Sequence, residues 1–166
     1  MNVCQVLTEQ SGAFKIIRFI KATTKPEEFE EFRKSKDFLE YCPNYQISDG
    51  GENSCNNVFC QCAQEGNAIL LEYLLEKYGK MFANIGNKFG HTPIYCATNC
   101  HDEDAGLDCV KVLLRFGGDP TITTALSCGG SCKLTHQGAS PSDNCVALKR
   151  EKIFQHLKLA HKTINF

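Results

Sequence analysis

The chain has 166 residues, of which 42% are hydrophobic and 22% are charged, and its formal net charge is -1. This balance is typical of one globular domain, so it excludes a wholly disordered chain and disfavours a strongly basic nucleic-acid-binding protein. The sequence has no apolar run of about 18 residues and no basic region followed by an apolar stretch at its start, so we expect neither a transmembrane helix nor a secretory signal.

The cysteine content indicates the redox compartment. Eleven cysteines are present, an odd number, in a chain long enough to bury a core without cross-links. We therefore expect mostly free thiols and an intracellular location, in the cytoplasm, the nucleus or both.

The N-terminal third, residues 6–52, predicts two antiparallel helices. Residues 13–22 place apolar side chains on a wide helical face. A turn at Thr24-Lys25-Pro26 follows. The second helix carries its apolar side chains at Phe29, Phe32, Phe38 and Leu39.

Residues 87–122 predict a further pair of helices. Thr92-Pro93 begins the first helix, with proline in the first turn, where its missing N–H costs no hydrogen bond. Val110, Leu113 and Leu114 form the apolar stripe of the second helix. Gly117-Gly118 ends that helix.

Two other segments repeat this pattern. Residues 53–84 hold matching side chains but have Asn57-Val58 in place of Thr-Pro, and residues 138–160 open with Ser140-Pro141. The equivalent positions Asn57, Thr92 and Ser140 are separated by 35 and 48 residues, and the extra length falls in predicted loops, which a stacked repeat tolerates.

Residues 87–122 resemble an ankyrin repeat through Asn87, Gly90, Thr92, Pro93, Ile94 and Ala97. The resemblance implies an all-α fold, an ankyrin-repeat helical solenoid, in one domain over 1–166. It assigns repeats to 53–84, 87–122 and 138–160 and makes 6–52 a divergent helical cap. Tyr95 stands where the family has histidine, and we expect this change to lose one inter-repeat hydrogen bond.

The resemblance also implies a protein-interaction module without catalytic activity or cofactor. Such arrays bind through hairpin tips and the exposed side of each first helix. Phe89 is the strongest candidate, as an aromatic residue expected to project from a turn. The positions carried over are Asn53, Ser54, Asn56, Gln64 and Glu65 in the first repeat, Lys88, Phe89, His91, Asn99 and Cys100 in the second, and Gln137, Ala139, Ala147 and Leu148 in the third.

Three roles are open for such a module: an adaptor, a competitive inhibitor of a signalling or transcription protein, or a metal- or redox-responsive binder that uses Cys128, Cys132 and His136. The chain is similar in length and repeat number to short viral and parasite ankyrin proteins that look like inhibitors of the NF-κB family. We expect a monomer with a protein partner, and we expect binding to neither nucleic acid nor a membrane.

The cysteines offer alternatives. Cys62, Cys96, Cys109 and Cys145 fall at positions that the repeat buries, which favours a core role. Cys128, Cys132 and His136 have a spacing that could bind zinc, with Cys100 or His101 as a fourth ligand, although a solvated loop or a redox pair also fits.

A small cysteine-dependent enzyme is the remaining alternative. Cys100 and His101 are adjacent, but catalytic cysteine and histidine usually come from distant segments. The sequence contains no nucleophile-elbow, P-loop or paired-carboxylate motif. These observations favour binding over catalysis.

Overall fold

A computed structural model describes residues 19–34, 56–87, 89–124 and 138–164, and all regular elements in these ranges are helical. None of these helices is long and apolar enough to cross a membrane. In chain order they are α1 Pro26–Lys34, α2 Val58–Glu65, α3 Ala68–Tyr78, the 3-10 helix Lys80–Asn84, α4 Pro93–Thr98, α5 Glu103–Arg115, α6 Pro141–Leu148 and α7 Glu151–Ile164.

The three positions that the repeat spacing aligns each begin the first helix of a pair. The side chains of Asn57, Thr92 and Ser140 accept a hydrogen bond from a first-turn N–H of α2, α4 and α6, respectively. In α6 the cap is reciprocal, because Asp143 accepts from the N–H of Ser140 at 2.8 Å. These helix starts therefore lie where the aligned positions predict them.

The helices form pairs, and the pairs stack. α2 contacts α4 and α4 contacts α6 in one row, while α3 contacts α5 and α5 contacts α7 in a second row. The core includes the fully buried side chains of Leu70, Leu74, Ile94, Leu113 and Ile153. Each pair buries its apolar stripe against its neighbours, as in a repeat solenoid. The all-helical stack predicted from the sequence is confirmed.

Cysteine side chains contribute to this core. The four that were predicted to be buried are at most 2% exposed, which confirms their core role. None of the six cysteines in the described segments forms a disulfide, and all six are buried: Cys60, Cys62, Cys96, Cys100, Cys109 and Cys145.

Tyr95 makes the inter-pair contact that its replacement of histidine was expected to lose. Its hydroxyl donates to Oδ1 of Asn144 on α6 at 3.4 Å, a long and weak hydrogen bond, so an inter-pair hydrogen bond is present although its loss was expected. The phenol is long enough to reach the next helix pair. Asn144 Nδ2 also donates to Thr98 Oγ1 at 2.5 Å and to Asn99 Oδ1 at 3.2 Å. A buried polar cluster therefore joins α4 to α6.

Side chains also connect a helix pair to the segment before it by donating hydrogen bonds to backbone carbonyl oxygens. Asn67, the N-cap of α3, donates to the carbonyl oxygens of Lys21 and Thr24, both at 2.7 Å. Arg150, directly before α7, donates to the carbonyl oxygen of Cys100 at 2.7 Å. These hydrogen bonds link each helix pair to the segment before it through backbone carbonyl oxygens.

Only part of the predicted N-terminal helix pair can be compared, because residues 1–18 and 35–55 lie outside the described segments. Within them, α1 packs against α3 and buries Phe29 completely. The predicted second helix therefore forms in part, and Phe38 and Leu39 are outside its described portion.

An ion pair fastens α1 to α3. Glu30 accepts from Lys77 Nζ at 2.8 Å and from the Tyr78 hydroxyl at 3.0 Å. Burial alone would raise the pKa of Glu30, but these hydrogen bonds and the nearby Arg33 guanidinium hold it below its usual value. The carboxylate therefore stays charged inside this contact.

Candidate interaction surface

The turn before α4 carries two predicted contact residues, Phe89 and His91. Asn87 Oδ1 accepts from their backbone N–H groups at 2.9 and 3.0 Å. The Phe89 ring centroid lies 5.8 Å from that of His91, which stacks on Tyr95 at 4.4 Å. Phe89 is half-buried, so it belongs to an aromatic row and does not project alone from the turn.

Two of the predicted contact residues are buried. Asn56 is 6% exposed because its Nδ2 donates to Gln61 and Gln64 and its Oδ1 accepts from Asn87 at 2.8 Å. Cys100 is 3% exposed, since its thiol packs where two helix pairs meet. The structure thus gives both residues supporting positions, which corrects the expectation that they present their side chains to a partner.

A cleft of about 420 Å³ lies where the first helices of the α2–α3 and α4–α5 pairs end. It brings together the predicted contact residues Gln64, Glu65 and Asn99, and the buried Cys100 lies in its wall. The turn that carries Phe89 and His91, called the aromatic turn below, lies at the other end of α4. Because α4 has six residues and each rises about 1.5 Å, this turn is about 9 Å from the cleft. The lining residues are Ala22, Gln64, Glu65, Asn99, Cys100, His101, Asp102 and Ala105.

Close backbone packing fixes one wall of this cleft. A Cβ atom on Gly66 would come within 2.7 Å of the Ala105 Cβ and 2.9 Å of the Cys100 sulfur. Gly66 also has a φ of 75°, which other residues rarely adopt. Glycine at this position therefore lets α5 approach the end of α2, a role that the sequence pattern did not reveal.

Two carboxylates flank the cleft. Asp102 is the N-cap of α5, and its Oδ1 accepts from the N–H groups of Asp104 and Ala105 at 2.9 and 3.2 Å. Glu65 Oε1 accepts from Gln61 Nε2 at 2.9 Å. In the described segments neither acid forms an ion pair, so the cleft carries negative charge.

The thiols near this surface are poor nucleophiles. Burial raises the pKa of Cys100, and the carboxylates beside it add to the effect. Burial also raises the pKa of Cys62 and Cys109, and it raises the pKa of Cys145 to about 12. Because the thiolate is the reactive form, these cysteines have little of it near neutral pH.

A second cleft, of about 400 Å³, lies at the ends of the second helices and was not predicted from the sequence. Met81 in its lining is 67% exposed, and Arg115 pairs with Glu72 at 2.6 Å. The sequence predicted Gly117 only as the end of a helix, and no pattern marked these residues as a binding surface. They are Lys80, Met81, Asn84, Arg115, Phe116 and Gly117.

The last pair exposes the end of α6. Ala147 is exposed and Leu148 is 43% exposed, as expected for contact positions. Val146, 64% exposed, was not predicted. Val146 aligns with Thr98 of the preceding pair. Asn144 covers Thr98, but no described pair follows α6–α7 to cover Val146.

Some predicted positions cannot be compared. Cys128, Cys132 and His136 lie outside the described residues, as do Asn53, Ser54, Lys88 and Gln137. Within the described part of the chain, no group of three or more His, Cys, Asp and Glu side chains is placed to hold a metal ion.

The family model of the ankyrin repeat matches residues 89–125, which contain α4 and α5. A search of curated proteins returns no significant match. The matched segment and the stacked helices identify the fold as a helical solenoid of the ankyrin-repeat type. An ankyrin repeat indicates a protein–protein interaction module.

Proposed function

We propose that the chain is a non-catalytic interaction module that acts as an adaptor or as a competitive inhibitor of a signalling or transcription protein. The convergence of Gln64, Glu65 and Asn99 on one cleft carries this proposal. Two stacked helix pairs supply these side chains, and solenoids bind partners through such composite surfaces.

The aromatic turn extends the proposed surface. Phe89 and His91 begin the same pair whose first helix ends at the cleft, and aromatic side chains often anchor interfaces. The raised pKa values of the Cys62, Cys100 and Cys109 thiols support binding over cysteine-dependent catalysis. A single cysteine that reacts rapidly with an activity-based thiol probe would contradict a non-catalytic role.

Affinity capture from host cells with paired charge reversals tests the proposal. Glu65→Arg reverses a charge in the cleft, and Glu76→Arg makes the same change on the exposed side of α3. We expect a protein that the parent chain and Glu76→Arg retain and Glu65→Arg loses. Capture that is equal for all three chains would place the partner surface elsewhere, and no capture above background would reject the module.

A competition experiment separates the two roles. A competitive inhibitor prevents the captured protein from binding its own ligand as the chain is titrated, whereas an adaptor leaves that binding intact. An NF-κB-type transcription factor and its DNA duplex form the first pair to test. Undiminished DNA binding with the chain bound would reject inhibition of this protein and favour the adaptor role.

A further inference from the structure

Asn67, Asp102 and Arg150 occupy one aligned position in three successive helix pairs. They are separated by 35 and 48 residues, the same spacing as the helix starts Asn57, Thr92 and Ser140. Each directly precedes the second helix of its pair, namely α3, α5 and α7.

The chemistry at this position changes in the middle pair. Asn67 and Arg150 each donate hydrogen bonds to carbonyl oxygens of the preceding unit. An aspartate carboxylate, as at Asp102, has no N–H group to donate and serves as an acceptor. Its Oδ1 caps its own helix, and no described residue donates to its Oδ2.

The acceptor that this position would serve also lacks a partner among the described residues. Glu65 aligns with Cys100, whose carbonyl oxygen receives the Arg150 guanidinium. Within the described segments no donor reaches the carbonyl oxygen of Glu65. The cleft of about 420 Å³ lies at this point. A donor present in both neighbouring contacts is therefore missing from this one.

We infer that the cleft receives an arginine side chain of a protein partner, in the position that Arg150 fills one helix pair further on. This inference rests on the proposed interaction function and names the chemistry of its partner. A guanidinium carries five N–H donors in a planar fork, which suits a site with two carboxylates and a free carbonyl oxygen.

Two cations of the described segments at the start of α7 already have partners. Arg150 is bonded to the carbonyl oxygen of Cys100, and Lys152 Nζ lies 2.7 Å from Asp104 Oδ1. The tight contact of Gly66 with Ala105 keeps the wall in place. Neither Arg150 nor Lys152 is therefore available to the cleft, and its fixed wall needs little rearrangement to bind a partner's arginine.

Two-dimensional NMR of the full chain with blocked tripeptides tests the inference. Acetyl-Gly-Arg-Gly-amide should produce saturable shifts at the amides of residues 64–66 and 99–105. The citrulline counterpart has the same shape without the charge. Because charge-assisted hydrogen bonds to a charged group are strong, we expect it to bind at least about tenfold more weakly.

Asp102→Asn is the diagnostic variant. Asparagine caps a helix as well as aspartate does and adds the donor that Asn67 supplies, so folding is retained while the cleft loses its charge. Asp108→Asn makes the same change on the exposed side of α5. We expect about a tenfold loss of arginine-peptide affinity for Asp102→Asn and none for Asp108→Asn.

Equal shifts with the citrulline peptide, or equal affinity for Asp102→Asn and the parent, would overturn the inference. Its failure can be told apart from failure of the proposed function. A captured partner that is lost with Glu65→Arg but retained with Asp102→Asn would keep the module and reject arginine recognition. Saturable peptide binding without any captured partner would reject the module and leave arginine binding as a property of the cleft alone.

Discussion

Replacing Asn144 with alanine should weaken the contact between α4 and α6. Asn144 is 4% exposed, and its Nδ2 donates to Thr98 at 2.5 Å and to Asn99 at 3.2 Å. Each buried hydrogen bond contributes about 0.5–1.5 kcal/mol net, so removing both should lower the free energy of unfolding by about 2 kcal/mol. The contact with the Tyr95 hydroxyl, at 3.4 Å, is too long to add much.

Urea unfolding followed by far-UV circular dichroism measures this loss. For a domain of this size, about 2 kcal/mol corresponds to a fall of roughly 4–8 °C in Tm. Ser142→Ala is the matched control, because Ser142 is half-buried on the same helix. We expect its effect to stay within about 0.5 kcal/mol.

A double-mutant cycle with Thr98→Val shows whether the loss comes from the polar cluster. If the Asn144–Thr98 bond is what stabilises the contact, the two changes should be less than additive by about 0.5–1.5 kcal/mol. A loss of less than about 0.5 kcal/mol for Asn144→Ala, or full additivity, would refute this account of how α6 is held.

Substitutions at three further positions test other contacts. Gly106→Ala should lower Tm although alanine favours a helix by about 1 kcal/mol over glycine, because its Cβ would lie 2.7 Å from the carbonyl oxygen of Ala97; a higher Tm would contradict that contact. The pKa of Glu30 in the folded protein lies below the ordinary value of 4.5, so the stabilisation from its charge is present above pH 4.5 and is lost as the pH falls through the folded pKa. Glu30→Gln should therefore make the free energy of unfolding depend less on pH in the acid range. If the parent and Glu30→Gln lose stability in parallel as the pH falls, the Lys77 ion pair does not contribute. Cys62→Ala should change the urea midpoint little, whereas Cys62→Arg should abolish folding by burying a charge; similar behaviour of both would mean that Cys62 is not in the core.

The sequence predicted the helix starts well because short-range chemistry sets them. Asn57, Thr92 and Ser140 accept from an N–H within their own first turn. Proline after Thr92 and Ser140 acts over the same distance. The apolar stripe of the second helices is also a local pattern, so the order of helices and most of the core followed from it.

Contacts between pairs were harder to predict because they depend on distances across the stack. Asn56 stands at a motif position that suggested exposure, but Asn87, far along the chain, buries it. The sequence shows that tyrosine replaces histidine at position 95, but not how far the longer side chain extends. Its length brings the hydroxyl to Asn144 on the next helix pair. The close approach at Gly66 likewise depends on α5.

The candidate cleft shows how one aligned position can serve two purposes. Where the position holds a donor, as in Asn67 and Arg150, it fastens consecutive units through backbone carbonyls. Where it holds an acceptor, as in Asp102, the same place stays open and negatively charged. The bonds on either side keep the walls of the opening in position. Fixing each flexible side chain at an interface costs about 0.5–1.5 kcal/mol, so a partner that meets these prearranged walls bears mainly the cost of ordering its own arginine.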